Sequence, residues 1–130
     1  MPPLTEAETE AQISDILIRH NWYPVKTDAA MVIRGRGRVP RSHIPQGFPD
    51  MTYLLALPGT PLCLAALVET KTVTGKLSDA QVEKHAELRD LYGIRVHVLR
   101  DPAQALALVT EARRIVGLLH DRLARQGGKA

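Results

Sequence analysis

Two apolar runs, Met51–Leu57 and Leu62–Thr72, flank the tetrapeptide Pro58-Gly59-Thr60-Pro61, and no other stretch constrains the fold of this chain as tightly. Proline and glycine in so short a connection favour a tight reversal, so the runs read as a β-hairpin. Neither run alternates cleanly between apolar and polar residues. Strands that are apolar along most of their length are covered on both faces, which predicts a central sheet with helices on either side. At 130 residues there is room for one such domain and not for two. Aromatic residues make up only 4% of the chain, so Leu, Val, Ile and Ala must supply the core.

The flanking segments supply the helices. Thr5 precedes Glu8 by three residues, the capping-box spacing, and opens a helix in which Ile13, Ile16, Leu17 and His20 recur at helical intervals up to about Asn21. Trp22 to Val32 reads as extended, because Pro24 stops the helix and Val25, Met31, Val32 and Ile33 suit a strand. Arg34 to Pro49, rich in Gly, Pro and Arg and without a hydrophobic period, reads as a long loop. Ser78 and Gln81 repeat the capping-box signature for a helix that stops at Gly93. Ile94–Leu99 is a strand, and Asp101-Pro102 starts a last helix that runs to about Arg125. The result is an α/β domain over 1–130, with a mixed sheet flanked by helices in a core of about 5–100 and a C-terminal helix of about 102–125.

Several function classes drop out. No stretch approaches the roughly 18 apolar residues of a membrane span, and the acidic start MPPLTEAETE is unlike a signal peptide, so a soluble, cytoplasmic protein is expected. The lone Cys63 excludes an internal disulfide and a cysteine-based zinc site. Net charge is only +3, yet Arg34, Arg36, Arg38 and Arg41 fall within eight residues, and without their four charges the chain would be acidic. Basic character is therefore local. Such a cluster points to a polyanion, although a solvated loop has the same composition.

Charged residues on an apolar strand need a reason. Glu69 and Lys71 end the run Leu64–Val68, and a spacing of two places them on one face. Asp50 begins the preceding strand, so an antiparallel hairpin brings Asp50, Glu69 and Lys71 together. Two carboxylates are a ligand set for a hard divalent cation, and a lysine beside them can stabilise charge on a phosphodiester. A plain ion pair at a sheet end, with Asp50 capping a turn, would use the same residues.

The segments Gly47-Phe48-Pro49-Asp50, Glu69-Thr70-Lys71 and Gly75-Lys76-Leu77-Ser78-Asp79-Ala80-Gln81 together resemble the PD-(D/E)XK nuclease superfamily, and within it the VRR-Nuc (virus-type replication-repair nuclease) family. The resemblance runs from the first helix to the strand Ile94–Leu99. It implies a restriction-endonuclease-like core and a Mg²⁺- or Mn²⁺-dependent DNA nuclease, an endonuclease selective for branched or four-way junction DNA. It makes Asp50 and Glu69 metal ligands, the Thr70 carbonyl a third, Lys71 the catalytic lysine, and Gln81 a residue at the site, although Gln81 also fits a capping box. The family's first-helix glutamate falls on Glu10, with Glu6 as the alternative, because both share the buried stripe whereas Glu8 points away with Asp15 and Arg19. Arg34, Arg36, Arg38 and Arg41 would hold DNA phosphates; His43 is given no role, and Trp22 and Tyr23 read as core or sheet-edge residues. The C-terminal helix carries one stripe of Leu106, Val109, Val116, Leu119 and Leu123 and another of Ala105, Leu108, Ala112 and Ile115, which suit packing on the sheet or a homodimer surface. A catalytically silent DNA-binding module with the same fold is the alternative function.

Overall fold

The computed structural model describes residues 2–28 and 44–127. The chain runs α1 (Glu6–Arg19), β1 (Tyr23–Lys26), β2 (Met51–Ala56), β3 (Cys63–Thr70), α2 (Asp79–Tyr92), β4 (Val96–Leu99) and α3 (Pro102–Gly127). The strands form one mixed sheet in the order β1-β2-β3-β4, antiparallel except for the parallel β3–β4 pair. This is the expected α/β architecture. Both capping boxes form as the sequence spacing requires, Thr5 with Glu8 on α1 and Ser78 with Gln81 on α2. Gly93 closes α2 in the left-handed conformation, and the following N–H, of Ile94, bonds back to Leu88. That closure uses Ile94 and delays β4 to Val96, two residues later than the hydrophobic pattern alone suggests. Met31, Val32 and Ile33 lie outside the described residues.

One face of the sheet carries the core. Ile13 and Leu17 from α1 and Ala105, Val109 and Ala112 from α3 pack against Met51, Tyr53, Ala66, Val68 and Leu99. Trp22 joins this cluster, whereas Tyr23 is exposed on the edge strand. Side chains alternate along a strand, so Leu67 and Glu69 point to the other face, where α2 lies and its His85 meets Glu69. Ala66 to Thr70 are accordingly buried without interruption. The expectation of a sheet covered on both faces holds at this end only, because Cys63 and Ala65, near the hairpin turn, are exposed. α3 also departs from simple packing on the sheet: it lies chiefly against α1. Ala105, Val109 and Ala112 are buried there, while Leu106, Leu119 and Leu123 stay exposed.

The approach to β2 is set by Gly47. Its φ is +77°, and a Cβ at this position would sit 2.1 Å from the Ala80 carbonyl oxygen in the first turn of α2. Glycine alone lets the loop rest on that turn. Thr27 then fixes the end of the loop, its N–H donating to the Asp50 carbonyl at 2.8 Å and its hydroxyl to the Pro49 carbonyl at 2.9 Å.

Candidate metal centre

The sheet delivers Glu69 to the middle of the structure. Its side chain is fully buried, Oε1 and His85 Nε2 share a hydrogen bond at 3.0 Å, and Oε2 has no hydrogen-bond partner among the described residues. Asp50 lies beside it at the entry of β2, with Oδ2 accepting the Thr70 N–H at 3.3 Å. Burial, and next the neighbouring Asp50 carboxylate, push the Glu69 carboxyl up to about 9, with the Lys71 ammonium opposing them. Asp50, Glu69 and Lys71 are thus brought together as the hairpin geometry predicts. Two adjacent carboxyl groups in this setting retain a proton at neutral pH unless a cation replaces it.

The Thr70 carbonyl also faces this spot. Continuing the register in which Met51 pairs with Val68 places Pro49 across from Thr70. The N–H and C=O of one strand residue point to the same edge, and the Thr70 N–H points toward Asp50. Proline has no N–H to give in return, so the ladder offers the Thr70 carbonyl no donor. The hydroxyl of Thr70, on the opposite face, is buried without a partner among the described residues. Two carboxylates, one with an oxygen unpartnered among the described residues, and a strand-end carbonyl make an all-oxygen donor set, which fits Mg²⁺ or Mn²⁺.

The first-helix glutamates stand apart. Glu6, Glu10, Lys26, Asp28 and Asp50 line a shallow cleft of about 300 Å³, so both Glu6 and Glu10 face the side occupied by Asp50 while Glu8 closes the capping box. Glu10, however, accepts from Lys26 Nζ at 3.3 Å. Burial draws the Lys26 ammonium down, but Glu10 and Asp28 outweigh it and hold it above its ordinary value. Among the described residues no group of three or more carboxylate, imidazole or thiol side chains is arranged to hold a metal. Neither Glu6 nor Glu10 therefore completes a ligand set with Asp50 and Glu69. Gln81 is occupied as well, its Oε1 accepting the Ser78 N–H at 2.9 Å. Arg34, Arg36, Arg38, Arg41 and His43 lie outside the described residues.

Two residues at the site have no part in the motif. His85 sits one helical turn after Gln81, on the same face of α2, and that i, i+4 spacing was the available signal. Arg100 Nη1 donates to the carbonyls of Thr72 at 2.8 Å and Gly75 at 2.5 Å, which pins the loop that follows Lys71. Nothing in the sequence around Arg100 marks that contact, because its acceptors are backbone atoms more than twenty residues away.

A hairpin with an acid at the entry of one strand and Glu-Thr-Lys at the exit of the next, followed by a helix and a parallel strand, defines a nuclease core of the PD-(D/E)XK type. The chain belongs to the VRR-NUC domain family, whose sequence model matches residues 30–101. That span covers β2 to β4 and the whole of α2, and it is shorter than the resemblance suggested, since it begins after α1. No curated protein and no solved structure matches. The family is one of nucleases, with DNA as substrate.

Proposed function

We propose that this chain is a Mg²⁺- or Mn²⁺-dependent endonuclease that cuts branched DNA. The observation that carries the reading is the convergence of half-buried Asp50 on fully buried Glu69 beside Lys71, with Glu69 Oε2 unpartnered among the described residues. Burial of a carboxylate oxygen without a partner costs free energy, and a cation is the group that offsets it. Asp50, Glu69 and the Thr70 carbonyl would hold the ion, which supplies an activated water and neutralises phosphodiester charge. Lys71 faces the same spot and offsets the charge that develops on the phosphoryl oxygens. Glu10, or Glu6, lines the adjoining cleft and would orient water there, and Gln81 would border the site from the start of α2.

Arg34, Arg36, Arg38 and Arg41 precede Asp50 in the chain and would grip the phosphate backbone, which gives recognition by shape and not by base sequence. The exposed Leu106, Leu118, Leu119 and Leu123 of α3 would join two copies, and a twofold dimer suits the two equivalent strands of a four-way junction.

The test incubates the purified chain with four-way junctions, linear duplex and plasmid DNA in Mg²⁺, Mn²⁺ or EDTA. Metal-dependent cleavage that favours junctions and falls by at least ~100-fold in Lys71→Ala is expected. The reading fails if no DNA is cut, or if Lys71→Ala cuts as well as the natural chain. A salt-dependent gel shift without cleavage would instead identify a silent DNA-binding module.

A further inference from the structure

His85 is one of the two residues at this site that the family motif leaves out. Its ring is held on α2, with the side chain only 12% exposed, and it approaches one oxygen of a fully buried glutamate. A carboxylate has two oxygens and rotates about its last bond. The hydrogen bond with His85 Nε2 removes that freedom, because it engages Oε1 at 3.0 Å and leaves Oε2 without a partner among the described residues. A hydrogen-bond donor behind a ligating group fixes its orientation and typically accounts for about 10–100-fold in metal affinity.

The surroundings of the ring favour this role over that of a ligand. Nε2 is engaged with Glu69. His85 also lines a cavity of about 270 Å³ with Arg89, Gly93, Arg95 and Val96. Two arginines make that cavity a poor place for a cation. We infer that His85 is a positioning residue: its Nε2–H locks the Glu69 carboxylate in the orientation that presents Oε2, with Asp50, to a divalent cation. This inference rests on the metal site proposed above.

Three proteins test it by calorimetric titration with Mn²⁺ and by thermal unfolding in EDTA: the natural chain, His85→Leu and His85→Gln. Leucine fills similar space without a donor, whereas glutamine keeps an N–H at comparable reach. Mn²⁺ binding is expected to weaken about 10–100-fold in His85→Leu and to stay within about 3-fold in His85→Gln, while both variants unfold in EDTA within a few degrees of the natural chain. A natural chain that binds no Mn²⁺ would overturn the metal site and this inference with it. Tight binding by the natural chain and equally tight binding by His85→Leu would overturn the inference alone. Loss of affinity in His85→Gln as large as in His85→Leu would also overturn it, because a donor would then not be what matters.

Discussion

The two faces of β3 put the same strand to opposite uses. Toward α1 and α3, Ala66 and Val68 enter an aliphatic cluster with Ile13, Leu17 and Val109. Toward α2, Leu67 is followed by Glu69, a carboxyl group buried as completely as Val68. Burial on the first face is favourable in itself, at roughly 25 cal/mol per Å² of apolar surface. Burial on the second is costly and is offset by His85 and Lys71 nearby and, in the proposed function, by a cation at the remaining oxygen. One face thus supplies the stability that lets the other be unfavourable, a division common in functional sites.

The sharpest way to break this comparison is to damage the stabilising face alone. Leu17 is fully buried in the cluster, and Leu17→Ala removes its packing without touching Asp50, Glu69 or Lys71. The expected loss is about 2–5 kcal/mol in urea unfolding. Metal-dependent cleavage, measured well below the unfolding midpoint, should be unchanged. Equal stability of the variant would mean that the α1 face is not where the fold is held.

The site face should respond to pH instead. In the unfolded chain the Glu69 carboxyl titrates in the ordinary carboxylate range, whereas in the metal-free fold it is pushed up to about 9, chiefly by burial and then by Asp50. Between those values the folded state binds more protons than the unfolded one, so stability is greatest at the acid end and declines as pH rises toward about 9. Glu69→Gln is neutral at every pH and lacks this decline. In EDTA its unfolding temperature should match the natural chain near pH 4.5 and exceed it by several degrees or more at pH 8.5. Added Mg²⁺ should raise the natural chain at pH 8.5 and leave Glu69→Gln in place. A difference between the two proteins that does not vary with pH would show that Glu69 ionises in the fold as it does in water.

The same contrast explains what was legible in the sequence. Thr5 with Glu8, Ser78 with Gln81, the Pro58–Pro61 turn and Gly93 act over a few residues, and each appears where its local chemistry placed it. The convergence of Asp50, Glu69 and Lys71 was legible too, because antiparallel register is enforced by the hairpin itself. Contacts between elements were not. Lys26 captures Glu10 across sixteen positions, and α3 chooses α1 over the sheet, through packing that no local period encodes. Gln81 illustrates the limit most clearly: its spacing fitted a cap and a site residue alike, and the cap has taken its amide oxygen. His85 shares its helix face and makes the contact to Glu69 that Gln81 does not.

The smallest test concerns the polar pair on the stabilising face. Tyr53 is fully buried on β2, and its hydroxyl bonds Ser14 on α1 at 2.5 Å. Burial raises the phenol above its ordinary value, so it stays protonated throughout the working range and the bond persists there. Tyr53→Phe deletes the hydroxyl but keeps the ring, and Ser14 is only half-buried, so its hydroxyl can turn to water. The expected cost is about 1 kcal/mol. Ser14→Ala alone should cost as much or more, since it strands a phenol that has less access to solvent. The double variant should then recover part of the loss, because removing both partners leaves nothing unsatisfied. If the two single losses simply add, the hydroxyls are not coupled, and the α1 face is held by aliphatic packing alone.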